Sequence, residues 1–328
     1  MLQTTMHALC FDEFGDAEVL RYDVMPAPAL RPGHILLRTE AIGLNFADVY
    51  RRNGNYHLVG KPPYILGYEA AGVVETVADD VTTLRVGDRV AVADVPHANA
   101  ELMLVPITHA LPVPHDITSK QAAAVLLQGL TAQYLSSDSY RVQPGTLAVV
   151  HAAAGGVGQL LTQFIKALGG TVIGLTSSEA KAAVARAAGA DEVLLYSQDW
   201  VSAVREYRNQ PTGADVVYDS VGSTVPDSLR AARSAGGAVV FYGMAGGDPA
   251  PVDPRMLMDE SKTLTGGDLW SYLTTPAERQ RRATALFELM RQGKLRVDIS
   301  ATFALADGAA AHRYLESRQS TGKVLLIP

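Results

Sequence analysis

The segment His151-Ala152-Ala153-Ala154-Gly155-Gly156-Val157-Gly158 constrains this chain more than any other. It follows a strand-like apolar run, Thr146 to His151. It precedes a helical run, Gly156 to Leu168, which Gly169-Gly170 closes. Against the pattern G-x-G-x-x-G, positions 153, 155 and 158 read Ala, Gly and Gly. Gly155 lets a backbone approach a pyrophosphate, Gly158 lets the helix pack closely on the strand, and the helix N-terminus holds phosphate charge. Ala154, Gly156 and Val157 complete the turn. A strand-to-helix turn with no ligand needs similar glycines, so the strand before and the helix after carry the assignment.

The same alternation continues downstream. Thr171 to Thr176 reads as a strand and Glu179 to Ala188 as a helix ended by Gly189. Glu192 to Tyr196, Asp215 to Asp219 and Ala238 to Tyr242 read as further short strands with helices between, and the sheet ends near Lys262 to Gly266. Repeated βαβ units make a parallel sheet covered on both faces. Pro276 to Gln292 reads as a long helix and Thr321 to Ile327 as a last strand.

The first third is different in texture. His34 to Gly43, Ala70 to Val77 and Arg89 to Val95 read as strands, with Gly87-Asp88 as a turn. Val24 to Pro28 and Arg31-Pro32-Gly33 read as punctuation between apolar runs. A short helix is expected to start at Asn45, a good N-cap, with Asp48 three residues on as in a capping box.

At 328 residues, with 48% apolar and 19% charged residues, two domains with sizeable cores are the natural expectation. One cysteine, Cys10, excludes an intrachain disulfide and every multi-cysteine zinc site. The net charge of −6 argues against a nucleic-acid partner. No apolar run reaches membrane-spanning length, and Met1 to His7 lacks the basic and apolar regions of a secretory leader. A cytoplasmic setting with no membrane partner is therefore expected.

The second strand of the alternating region bears on cofactor choice. It ends in Thr176-Ser177-Ser178-Glu179-Ala180-Lys181. An NAD site usually places an acid at that strand end, on the ribose 2′-hydroxyl. Hydroxyls from Thr176 and Ser177 with the Lys181 cation suit a 2′-phosphate, so NADPH is expected. Ser177 as a helix cap and Lys181 as a solvated helix residue is the plainer alternative.

Seven ordered segments carry a wider resemblance: Gly43 to Tyr50, Gly67 to Val74, Val86 to Val90, Gln128 to Ala132, His151 to Gly158, Tyr218 to Gly222, and Glu316-Ser317-Arg318 onward to Pro328. Through them the chain resembles the quinone oxidoreductases of the zeta-crystallin type, in the zinc-free branch of the medium-chain dehydrogenase/reductases. The resemblance implies an α/β architecture: a GroES-like partial β-barrel catalytic domain, residues 1–122 and 267–328, plus a Rossmann NADPH-binding domain, residues 123–266. It implies a cytoplasmic homodimer and hydride transfer from NADPH to a quinone. The enals, enones and enoyl thioesters of related reductases are an alternative substrate class, and a non-enzymatic NADPH-binding protein is a third reading.

By the same resemblance, Asn45 and Tyr50 face the nicotinamide and substrate, Asp48 orients them, and Tyr68 borders the cleft. Each has a bland counterpart: Asn45 and Asp48 as a cap, Tyr50 and Tyr68 as packing. Thr131 and Tyr134 are expected at the nicotinamide end, Tyr242-Gly243-Met244 beside the nicotinamide, and Tyr196 and Arg318 with Ser177 and Lys181 at the 2′-phosphate. Zinc-dependent relatives carry Cys and His where this chain has Asn45 and Tyr68, which leaves Glu69 alone as a ligand and predicts no metal. His151 is expected to serve in packing or hydrogen bonding. Relatives often carry Arg-Pro where Gly266-Gly267 stands here, so a wider pocket is expected, with Trp270 and Tyr272 on a flat substrate or at a dimer interface.

Overall fold

The computed structural model describes residues 4–207 and 212–328; residues 1–3, where the segment read for a leader begins, lie outside them. The chain forms two compact units. One takes the chain up to Leu127 together with Leu273–Gly293 and Val297–Pro328, and the other is Gln128–Tyr272 with Lys294–Arg296. The divisions fall at 127/128 and 272/273, a few residues beyond the seams at 122/123 and 266/267 that the resemblance implies.

The first unit is built on His34–Leu44, an eleven-residue strand too long for one pair of partners. Along one edge it pairs antiparallel with Ala70–Val77, with register shifts at Leu36/Leu37 and Thr39/Ala41. Such irregularities bend a strand and increase its twist, which suits a partial barrel. Along the other edge its first half pairs with Leu102–Pro106 and its last residues pair with Lys323–Ile327. Arg89–Val92 and Leu111–Pro112 extend the sheet on one side, and Ile299–Ala304 lies parallel to Lys323–Ile327 on the other. Ile35, Leu37, Ile42, Val74, Val90 and Leu326 form the core.

A separate three-stranded sheet holds Thr5–Phe11 between Arg21–Pro26 and Tyr64–Ile65. This corrects the reading of Val24 to Pro28 as punctuation. Pro26 ends an edge strand, where its missing N–H breaks no ladder bond. The strand at Arg89 also ends at Val92, three residues before the expected limit.

The second unit holds six parallel strands in the order Glu192–Leu195, Thr171–Thr176, Leu147–Val150, Val216–Asp219, Ala238–Phe241 and Thr263–Gly266. Numbered by chain position this is 3-2-1-4-5-6, the doubly wound order of a dinucleotide-binding sheet. The order reverses between Leu147–Val150 and Val216–Asp219, and ligands of such sheets bind outside the strand ends at that point. Val149, Ile173, Val217 and Val239 fill the sheet core with Trp200 and Leu229 from the covering helices.

Candidate functional site

Register brings three distant residues together in the first unit. Leu325 sits opposite Gly43, Val324 opposite Leu44, and Ala70 opposite Ile42. Lys323, Glu69 and Asn45 lie one step beyond these pairs, and all three are buried. The Lys323 ammonium donates to Glu69 Oε2 at 2.5 Å and to Asn45 Oδ1 at 2.8 Å. Asn45 Nδ2 donates to Glu69 Oε2 at 2.9 Å and to the Gly43 carbonyl at 3.1 Å. Glu69 Oε1 accepts the Leu127 N–H at 2.6 Å. A Cβ on Gly43 would stand 2.3 Å from Glu69 Oε2, so the glycine leaves room for the carboxylate.

Asn45 begins the helix Phe46–Arg52, and Asp48 accepts its backbone N–H at 3.0 Å in the expected capping box. Both amide hydrogens of Asn45 are committed inside the protein, so this side chain is not placed to donate to a substrate oxygen. Burial raises the Asp48 carboxyl above the usual range although Arg51 and the Asn45 N–H stand beside it. The Arg51 guanidinium lies 3.8 Å from the centre of the Tyr68 ring and 4.9 Å from that of Tyr56, a cation–π arrangement. Burial raises the Tyr68 phenol, which keeps it neutral. Tyr50 is half-buried, with its ring 6.2 Å from that of Phe46.

These residues do not fit zinc. The Glu69 carboxylate holds an ammonium, that of Asp48 accepts from the Asn45 N–H and Arg51, and the ring in the second ligand slot lies under a guanidinium. Among the described residues no group of three His, Cys, Asp or Glu is placed to hold a metal ion.

In the second unit the glycine turn leaves the strand through Ala152, which adopts a left-handed φ of +46°. Such backbone is costly for alanine and persists only where the surroundings hold it. Tyr196 holds it: its hydroxyl accepts the Ala152 N–H at 2.9 Å. The helix starts at Gly156. A Cβ on Gly158 would stand 2.4 Å from the Ala152 carbonyl oxygen, which fits the close helix–strand packing read from the sequence. A Cβ on Gly156 would strike the Gln128 amide at 2.0 Å. Gly155 is different, because its nearest neighbour would be 3.1 Å away and its φ is −78°.

Behind the turn lies a buried relay. Tyr196 Oη is 3.2 Å from His151 Nδ1, and His151 Nε2 is 3.0 Å from Ser228 Oγ. Ser228 donates to Asp219 Oδ2 at 2.6 Å. With one hydroxyl hydrogen each, only one assignment satisfies all members. Tyr196 donates to Nδ1, and Nε2–H donates to Ser228. His151 is therefore neutral, consistent with burial lowering its pKa. Burial works to raise Asp219, but the hydrogen bonds from Ser228, the Gly222 N–H and Thr224 favour its charged form, and its carboxyl lies below the usual range. The Trp200 ring stands edge-on to His151 at 5.3 Å.

The other expected positions divide. Tyr242, Gly243 and Met244 follow the strand Ala238–Phe241, and this segment folds against 219–221 through Tyr242 N–H to Asp219 O, Ala245 N–H to Ser220 O and Gly246 N–H to Val221 O. Thr131 and the buried Tyr134 lie one turn apart on the helix Ser119–Tyr134. Tyr134 stacks on Tyr272 at 4.4 Å and 12°. A Cβ on Gly267 would stand 2.8 Å from the Tyr134 ring, so this glycine makes room for the stack, whereas a Cβ on Gly266 would meet nothing within 4 Å.

At the end of Thr171–Thr176, Thr176 is buried, Ser177 exposed and Lys181 half-buried. The cap of the next helix is Ser178, which accepts the Lys181 N–H, so the plainer reading of Ser177 as the cap is off by one residue. Arg318, in the first unit, is exposed with φ +60°. The Tyr196 hydroxyl faces Ala152 and His151, and its place at the 2′-phosphate stays a proposal. Sequence reasoning missed Lys323, Ser228 and Thr224. The one available signal was a lysine opening an otherwise aliphatic strand, Lys323-Val324-Leu325-Leu326-Ile327.

Comparison with known proteins agrees with both units. Residues 31–144 match the alcohol dehydrogenase GroES-like domain, and residues 188–326 match a zinc-binding dehydrogenase domain. A quinone oxidoreductase of Pseudomonas aeruginosa is 40% identical over 321 residues, 97% of this chain and 98% of that protein. A 2-haloacrylate reductase of a Burkholderia species is 39% identical over 306 residues, 90% of this chain and 91% of that protein. The crystal structure of Escherichia coli quinone oxidoreductase complexed with NADPH superposes with a TM-score of 0.93 at 35% identity, covering 98% of this chain and all of that one.

Proposed function

Because the chain belongs to the quinone oxidoreductase family of the medium-chain dehydrogenase/reductases, we infer that it is an enzyme that reduces quinones with NADPH. The observation that carries this is the glycine turn at the switch point of a 3-2-1-4-5-6 sheet, in a chain whose relatives matched over 97% of its length include quinone oxidoreductases. The residues present fit NADPH: the left-handed turn at Ala152, the space at Gly155 and the N-terminus of Gly156–Ala167 suit a pyrophosphate. Ser177 and Lys181, with Arg318 as a second cation, are proposed for the 2′-phosphate. Bound NADPH supplies the hydride.

The chain's own part is to orient and to stabilise charge on the reduced oxygen. Tyr50 is proposed as the hydroxyl donor there. Asn45 acts as a fixed acceptor, Asp48 holds the helix start, and Tyr68 braces Arg51. Thr131, Tyr134 and Tyr242-Gly243-Met244 are proposed at the nicotinamide end. A cytoplasmic homodimer completes the reading, joined through the edge of the six-stranded sheet, whose outer strands among the described residues are Glu192–Leu195 and Thr263–Gly266.

The test is NADPH oxidation by the purified protein with 1,4-benzoquinone and 9,10-phenanthrenequinone. Turnover is expected, and its absence across a quinone panel sinks the reading. Likeness to a 2-haloacrylate reductase favours a second reading, reduction of activated alkenes. A higher kcat/KM for 2-alkenals than for every quinone would establish it. Lys181→Ala should raise KM for NADPH about tenfold and leave NADH nearly unchanged. Equal effects on both cofactors would remove Lys181 from the 2′-phosphate.

A further inference from the structure

Lys323 opens a strand whose next three residues are buried aliphatics, and neither its side chain nor that of Glu69 has any exposure. Burying an ion pair is a poor way to gain stability, since well-packed apolar residues of similar volume often do as well or better. What the pair grips is the amide of Asn45. The ammonium stands at Oδ1 and the carboxylate at Nδ2. A flipped amide would set NH2 against the ammonium and carbonyl oxygen against the carboxylate. The two charges therefore select one of the two orientations, and the Gly43 carbonyl on the second amide hydrogen reinforces the choice.

We propose that Glu69 and Lys323 are positioning residues of the reaction that act through Asn45. They hold its amide, and with it the start of the helix that carries Asp48 and Tyr50, in one arrangement. This rests on the reading of Asn45 and Tyr50 as residues of a quinone-reducing site. The ion pair stands beside the slots where zinc-dependent relatives hold metal ligands, and its part here is orientation.

The test is a cycle of four proteins: wild type, Glu69→Gln/Lys323→Met, Asn45→Ala, and the triple variant. The paired substitution leaves no lone buried charge. If it does not unfold cooperatively near the wild type, Glu69→Gln/Lys323→Gln takes its place. In the wild-type background kcat for 9,10-phenanthrenequinone should fall about tenfold, with KM for NADPH changing less than about threefold. In the Asn45→Ala background the same pair should cost less than about twofold. Equal losses in both backgrounds, or no loss in either, overturns the proposal.

A second readout needs no acceptor substrate. In protein labelled with ¹⁵N-asparagine, the side-chain signal absent from Asn45→Ala should shift and exchange faster with water in the paired variant. An unchanged signal overturns the proposal. If the wild type reduces no quinone, the functional reading fails by itself, and the Asn45 side-chain signal alone decides the positioning proposal.

Discussion

The two units solve one problem in two ways. Each must hold a piece of irregular backbone at the end of a buried strand. In the first, the start of Phe46–Arg52 is held through Asn45 by two full charges, Glu69 and Lys323. In the second, the left-handed turn at Ala152 is held by neutral groups, Tyr196, His151 and Ser228, ending at one carboxylate, Asp219. Opposite charges select an orientation sharply but leave a bare ion when one is lost. A relay spreads the load, since Asp219 also accepts from Thr224 and from the Val221 and Gly222 N–H groups.

The largest expected effect breaks the charged cluster. Lys323→Met alone leaves Glu69 as a buried anion and should destabilise the protein by about 3–5 kcal/mol, most of which Glu69→Gln restores in the double variant. Thermal or urea unfolding followed by far-UV circular dichroism measures it. An equal loss in the single and double variants would mean that packing, and not charge, is what Lys323 contributes.

Ser228→Ala probes the relay. It removes one donor from Asp219 and the acceptor of His151 Nε2–H, and should cost about 1–3 kcal/mol, less than the charged case. Both tryptophans lie in this unit, and Trp200 stands edge-on to His151, so tryptophan emission should respond directly. A loss as large as that of Lys323→Met would erase the distinction between the two clusters.

These clusters also mark where the sequence stopped being readable. The turn at 151–158, the strands Thr171–Thr176 and Ala70–Val77 and the cap at Asn45–Asp48 were legible, because glycine punctuation, apolar runs and caps are local signals. Glu69 was visible only as an orphaned metal ligand. Its partner Lys323 lies 254 residues away and meets it only through the register of three strands. Ser228 is 77 residues from His151 and was one serine among many until the helix Val225–Ala231 was laid beside Val216–Asp219. The Tyr134–Tyr272 stack behind Gly267 was hidden for the same reason. Turn chemistry is local, whereas a satisfied buried polar group depends on tertiary register.

A pH comparison sets two buried histidines with opposite neighbours side by side. His151 has Asp219 nearby, which works against its burial. His312, on the helix Gly308–Glu316, is buried with the Arg52 guanidinium donating to its Nδ1 at 3.0 Å. Burial and that cation together push its pKa down to about 3. The folded state therefore keeps His312 neutral where the unfolded chain, near pKa 6.5, takes up a proton. Stability from this group is full above pH 6.5 and is lost as pH falls toward 3. Between pH 7.5 and 5.0 the loss should be about 2 kcal/mol. His312→Asn keeps an acceptor for Arg52 and cannot titrate, so urea unfolding at the two pH values should differ less in the variant by about that amount. If the wild type and His312→Asn lose equal stability on acidification, His312 does not supply the difference, and the relay at His151 becomes the place to look.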